Sequence, residues 1–204
     1  MLPDRSSSPA FTVLLVCTGN ICRSALAERL GRAFLDEALG EQADAIRLVS
    51  AGTRAVVGSG MHPDSALVLL GFGAESGDFL ARQFDGTMAA EADLVLTMTR
   101  GHRRDVLHAA PRALARTFTL REAAELLELV EDGRGEGRDF RERAQNLVSA
   151  LAAARSRRHS SQDDDVRDPI GLPVDVHAEA GEAIVESLLP ILRRLAELIG
   201  TRPA

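Results

Sequence analysis

Phe11 to Cys17, FTVLLVC, is apolar on both faces of an extended chain, and a strand of that kind has to be covered on both sides. Such a strand belongs inside a parallel sheet with helices above and below it, since an antiparallel strand with one wet face would alternate. After a short loop, Ala25 to Leu39 carries Ala27, Leu30, Phe34 and Leu35 at helical spacing, so the chain opens with a strand, loop, helix unit. Short apolar runs recur at Ile46 to Ser50, Asp93 to Thr97 and Arg116 to Thr119, between helical stretches near Pro63 to Leu70, Arg100 to Ala109 and Leu120 to Val130. Strands alternating with helices specify an α/β fold with a doubly wound parallel sheet. Near the end, Ile184, Leu188, Ile191, Leu195 and Ile199 hold one helical face, which Pro190 is expected to bend without ending.

The loop between the first strand and helix, VCTGNICRS, holds the only two cysteines of the chain, Cys17 and Cys22. It places Cys17 at a strand's C-terminal end and Arg23-Ser24 at the next helix's start, the crevice in which open α/β sheets bind ligands. Helix N-termini present unpaired N–H groups and a positive dipole end, and a curled loop aims further N–H groups at the same point. Thr18, Gly19, Asn20, Ile21, Cys22, Arg23 and Ser24 then form an anion cradle, to which the Arg23 guanidinium adds a planar pair of donors matched to phosphate oxygens. The same positive field favours a thiolate, with cysteines at such sites ionising at about 3.5–7.5 rather than near 8.5. A thiolate at the base of a phosphate cradle is placed for in-line attack on phosphorus, giving a cysteinyl-phosphate that water later cleaves. Gly19 permits the tight curl, Asn20 can pin the loop, and Ser24 can donate a hydrogen bond to the departing sulfur. The leaving oxygen needs a proton, and Asp168, whose direction is set by Pro169, is the candidate acid, with Asp165 the second choice.

Composition narrows the remaining readings. With 204 residues and 45% apolar content the chain can bury one core, so a single domain over 11–204 is expected, preceded by a flexible segment at 1–10. The net charge of −6 and the absence of Tyr and Trp argue against nucleic acid as a partner. No apolar run is long enough to cross a bilayer, and Met1 to Ala10 lacks the pattern of a leader, so the expected location is cytoplasmic, without a membrane partner. His62, His102, His108, His159 and His177 lie in separate segments with no paired spacing, so neither a metal site nor a cofactor is expected. Arg155 to Arg158 with Asp163 to Asp165 reads as a solvated stretch that could gate the acid loop.

Taken together, these residues resemble the low-molecular-weight protein tyrosine phosphatases, whose motif is a cysteine, five residues, Arg and Ser near the start of the chain. Beyond VCTGNICRS, the stretches SAGT (50–53), ARQF (81–84), EADLVLTMT (91–99), RTFTLRE (116–122) and DVRDPIG (165–171) occur in the family's order. The resemblance implies a four-stranded parallel sheet, Cys17 as nucleophile, Arg23 as phosphate clamp, Asp168 as general acid, and Asn20, Ser24 and Ser50 as loop supports. It also implies a guarding role for Cys22, which could trap oxidised Cys17 as a disulfide before over-oxidation. The positions that usually carry aromatic walls are here Val56 and Ile170, and Ile21 stands where a phosphoarginine-directed branch usually has Thr. A helical insertion at about 131–165, centred on Asp139 to Arg155, lengthens the usual connection and reads as a lid, a docking surface or extra packing on the sheet edge.

The expected activity is metal-independent hydrolysis of phosphotyrosine in phosphorylated proteins through a cysteinyl-phosphate, with phosphate, vanadate or similar oxyanions as ligands. The alternatives are a protein arginine phosphatase on the same fold, an arsenate reductase, or a phosphate-binding interaction protein without turnover.

Overall fold

The computed structural model describes residues 10–130, 137–158 and 164–200. The expected N-terminal segment lies outside these apart from Ala10, as do 131–136 and 159–163 of the expected insertion. Four parallel strands form the sheet: β1 (Phe11–Cys17), β2 (Ile46–Gly52), β3 (Leu94–Thr97) and β4 (Thr117–Thr119), in the order β2-β1-β3-β4. The chain leaves β1 in one direction to reach β2 and returns across it to β3. This reversal at the C-terminal edge of β1 is a topological switch point, where doubly wound folds open a ligand crevice.

Around the sheet lie α1 (Arg23–Leu39), α2 (Pro63–Gly71), α3 (Gly86–Glu91), α4 (Arg100–Ala109), α5 (Leu120–Leu129), α6 (Phe140–Ala154) and α7 (Val174–Gly200). β1 alternates between two cores. Phe11, Val13, Leu15 and Cys17 join α1, α5, α6 and α7 side chains on one face, while Leu14 and Val16 meet Ala89, Val95, Val106 and Ala113 on the other. That double burial gives three layers and explains why the strand carries no wet face. α7 runs unbroken through Pro190 and buries Ile184, Leu188, Ile191 and Leu195.

Two expectations shift at their edges. α1 begins at Arg23 rather than Ala25, so the guanidinium is held in the first turn. Asp93 stands just before β3 and serves as an anchor: its carboxylate accepts from Thr12 N at 2.9 Å, from the Arg141 guanidinium at 2.7 Å and from Gln145 Nε2 at 3.0 Å. Through it α6 is fastened beside the sheet, and its Ala144, Leu147, Val148 and Leu151 enter the larger core while buried Arg143 donates twice to Leu198 O in α7. The described helix α6 thus packs beside the sheet.

The stretch expected to be solvated is instead tied down where it is described. The Arg155 guanidinium stacks 4.0 Å over the Phe118 ring and pairs with Glu122 at 2.9 Å, and Arg158 pairs with buried Asp164 and with Glu125. Sequence charge alone suggested exposure. A stacked guanidinium, however, is weakly hydrated and packs as a flat plate once aromatic and carboxylate partners meet it.

β1 and β2 pair with Cys17 opposite Gly52, so the loop after β1 passes directly over the end of β2. A Cβ added at Gly52 would lie 2.4 Å from Thr18 O and 3.0 Å from Asn20 N, both backbone atoms of that loop. Gly52→Ala is therefore expected to cost about 1–3 kcal/mol of stability, the usual range for overpacking, and to move the amide resonances of Thr18 to Asn20. Urea unfolding and a two-dimensional amide spectrum check both; unchanged loop resonances would contradict the close approach.

Candidate active site

The loop 17–24 curls because one residue adopts a conformation that side chains rarely take. Asn20 has φ +54°, the only positive value at a non-glycine among the described residues, and Asn tolerates it because its amide can bond locally. Its side chain is fully buried and spans three neighbours: Nδ2 donates to Ser24 Oγ at 2.9 Å and to Ser50 Oγ at 2.8 Å, and Oδ1 accepts from Arg82 N at 2.8 Å. Asn20, Ser24 and Ser50 thereby come together, and Arg82, within the ARQF stretch, closes the set.

Cys17 Sγ sits inside this curl, 2% exposed, 2.9 Å from Ser24 Oγ and accepting from Asn20 N at 3.3 Å. Ser24 Oγ already accepts the Asn20 amide proton, which turns its own hydrogen toward the sulfur. No side chain caps the N-terminus of α1, leaving its first-turn donors to the loop. Above Cys17 opens a cavity of about 200 Å³, with Thr18, Gly19, Ile21, Cys22 and Arg23 around the base and Arg54, Val56, Asp168 and Ile170 at the mouth. Val56 and Ile170 are about half exposed, giving aliphatic rather than aromatic walls.

Arg23 is 4% exposed, donates to Val166 O at 3.0 Å and pairs with Asp168 Oδ2 at 2.5 Å, while its Nε–H is buried with no partner. A guanidinium so fixed keeps its remaining N–H donors available to an anion. Asp168 itself is 43% exposed and also accepts from Ile170 N at 3.3 Å, so it can move. Asp165, the second candidate acid, accepts from Arg100 N at 2.8 Å at the start of α4 and does not line the cavity.

Three features were not legible in the motif. Arg54 stands at the mouth, held by a brace in which Gln83 accepts from Ala55 N and donates to Thr53 O, each at 3.0 Å. His102 reaches from α4 to the loop, with Nε2 2.8 Å from Thr18 Oγ1 and Nδ1 2.9 Å from Thr99 Oγ1. The third corrects the reading of the histidines as scattered: the fold stacks His62 on His177 at 4.8 Å and sets both beside Cys22. His108 stays exposed on α4, and His159 lies outside the described residues.

Cys17 and Cys22 are both free thiols. Burial pushes the Cys22 thiol up to about 11, against a hydrogen bond from Ser65, so Cys22 is protonated at neutral pH and slow to attack an oxidised neighbour. Burial, then the Arg23 charge, lowers His102 to about 4. A neutral ring can therefore hold Thr18 without adding charge beside Arg23.

The sequence profile of the family described as low molecular weight phosphotyrosine protein phosphatase matches residues 12–157, stopping short of Asp168. A putative low molecular weight protein-tyrosine-phosphatase of Klebsiella pneumoniae is 34% identical over 107 residues, covering 52% of this chain and 69% of that protein. The low molecular weight protein tyrosine phosphatase from T. tengcongensis superposes with TM-score 0.62 at 27% identity, over 91% of this chain and 99% of that one. The YwlE arginine phosphatase from Geobacillus stearothermophilus gives 0.59 at 27%, over 92% and 91%.

Because His102 is lowered to about 4 in the fold and titrates near 6.5 when unfolded, the unfolded chain binds the extra proton between those values. Stability contributed by the neutral ring is complete above about pH 6.5 and falls by about 1.4 kcal/mol per unit as pH drops toward 4. Urea unfolding at pH 7.5 and 5.0 should show a loss of about 2 kcal/mol in the native protein that His102→Gln lacks; equal losses in both would contradict it.

Proposed function

The chain belongs to the low molecular weight phosphotyrosine protein phosphatase family, and on that footing we propose that it hydrolyses phosphotyrosine in proteins, with Cys17 as nucleophile. The observation that carries this is Cys17 Sγ at the base of the cavity, with Ser24 Oγ at 2.9 Å and Asn20 N at 3.3 Å, and Arg23 paired there with Asp168 from the mouth.

In this reading the phosphate of the substrate displaces the Asp168 carboxylate from Arg23 and takes the guanidinium and loop N–H donors on its equatorial oxygens. Released from Arg23, the Asp168 carboxylate takes up a proton from solvent; the Cys17 thiolate attacks in line, an S–P bond forms, the P–O bond to the aryl group breaks, and Asp168 passes that proton to the leaving oxygen. In the second half Asp168 accepts a proton from water as that water attacks phosphorus. The S–P bond breaks, and Ser24 Oγ–H stabilises the departing thiolate while inorganic phosphate leaves. Phosphate and vanadate are expected to bind the same cradle as oxyanions of matching shape.

Arg54 at the mouth favours an aryl ester over phosphoarginine, because a guanidinium leaving group would meet a like charge there. The apolar Ile21 and the aliphatic walls Val56 and Ile170 suit a ring's faces, at the cost of stacking worth about 0.5–1.5 kcal/mol per aromatic pair. Arsenate reduction relayed through further cysteines has no residues to use, as the chain has only Cys17 and Cys22.

Cys17→Ser should abolish turnover of an aryl phosphate and the burst of phenol release, while Asp168→Asn should slow it by about 10²–10⁴-fold, the range for a positioned acid. Native-like rates in the Cys17 variant would refute the mechanism. Matched phosphotyrosine and phosphoarginine peptides should differ in kcat/KM by at least tenfold in favour of phosphotyrosine, and Arg54→Ala should narrow that gap; preference for phosphoarginine would reassign the substrate.

A further inference from the structure

Cys22, which lines the cavity, also meets side chains that the hydrolytic steps do not use. Near it lies Ser65, whose Oγ is 2.9 Å from His177 Nδ1. His177, near the start of α7, has a fully buried side chain, and its Nε2 makes no well-aligned hydrogen bond, although the Pro169 backbone lies close enough to act on the ring. A buried imidazole nitrogen left unpaired is uncommon and costs stability, so its direction is informative.

The His177 ring lies beside further donors. Ligand atoms of Cys22, His62 and His177 all lie within 4.8 Å of one another, and Asp64 Oδ2 is 3.9 Å from both His177 Nε2 and His62 Nδ1. At 3.9 Å the carboxylate is too far for a hydrogen bond to either ring. Three separate parts of the fold supply the set: the loop before α1, the start of α2, and the first turns of α7.

We propose that Cys22, His62 and His177, with Asp64 as fourth donor, form a binding site for a zinc-class divalent transition metal ion, distinct from the Cys17 centre. One sulfur, two imidazole nitrogens and one carboxylate oxygen form a borderline-soft set suited to a tetrahedral ion and poorly suited to Mg²⁺ or Ca²⁺. With metal–sulfur and metal–nitrogen bonds of about 2.3 and 2.0–2.1 Å, tetrahedral donors stand about 3.3–3.6 Å apart, so the set closes by roughly an ångström. His62 supplies that movement: its side chain is 27% exposed, Nδ1 accepts from Asp64 N at 3.3 Å at the start of α2, and the ring leaves the parallel stack to offer its other nitrogen, Nε2, to the ion. On binding, a sulfur–metal bond forms and the Cys22 proton passes to solvent.

The ion would clamp moving parts together. His62 N already donates to Ile21 O at 2.7 Å, tying α2 to the loop, and the metal adds Cys22 and the helix that follows the Asp168-Pro169 turn. It also holds the Cys22 sulfur away from disulfide exchange with Cys17. The site does not depend on the phosphatase reading, since Cys17 takes no part in it.

Because the chain has only two cysteines, Cys17→Ser leaves Cys22 as the sole thiol, and any thiolate–metal signal must come from it. Cobalt(II) chloride added to that variant should give, at one equivalent, a sulfur-to-cobalt charge-transfer band with intense visible bands of a tetrahedral ion, both lost on adding zinc. The sulfur band should vanish when Cys22→Ser is added, and His62→Gln or His177→Gln should weaken cobalt binding at least tenfold. His62→Gln, at a partly exposed ring, carries the test should His177→Gln fail to fold. No sulfur band in the Cys17→Ser protein, or a band that survives Cys22→Ser or is unmoved by His62→Gln, overturns the proposal.

Discussion

One buried amide holds the site in shape. Asn20 sits in the left-handed region with no exposure, and its side chain bridges Ser24 at the start of α1, Ser50 in β2 and the backbone of Arg82. A strained backbone conformation persists only when its surroundings over-determine it, and three hydrogen bonds from one side chain do so here. The curl of the loop around Cys17 follows, as does the orientation of the Ser24 hydroxyl, which has its acceptor role filled by Asn20 and its proton left for sulfur.

The sheet supplies the platform for that loop. β1 is central and buried on both faces, so its end cannot move independently of β2 and β3, and the Cys17–Gly52 register brings loop and strand end into backbone contact. On one side α7 closes the larger core and approaches the loop through His177; on the other, α4 reaches it through His102 and Thr18. The cradle is therefore held from both layers.

Charge is arranged with similar economy. Arg23 is buried, yet both terminal nitrogens are engaged, one by Val166 O and one by Asp168, so the cation is compensated. His102 next to it stays neutral because burial and the guanidinium both oppose its protonation. Arg155 and Arg158, which do not line the cavity, fasten the end of α6 to β4 and α5, Arg155 by stacking and both by ion pairing.

Much of this was legible in the residues. The both-sided apolarity of Phe11 to Cys17 determined a buried parallel strand, the 3.6-residue spacing of α1 and α7 determined their core faces, and a cysteine, five residues, Arg and Ser marked the strand-to-helix turn at which the cavity opens. These are local properties, since spacing along a chain dictates which side chains share a face. Only the tertiary structure decided that Arg54 reaches the mouth, that His102 braces Thr18, that the arginines of the insertion are packed, and that His62 and His177 meet at Cys22. Those contacts join segments far apart in sequence, and their geometry depends on how the layers pack, for which no single stretch of residues carries a periodic signal.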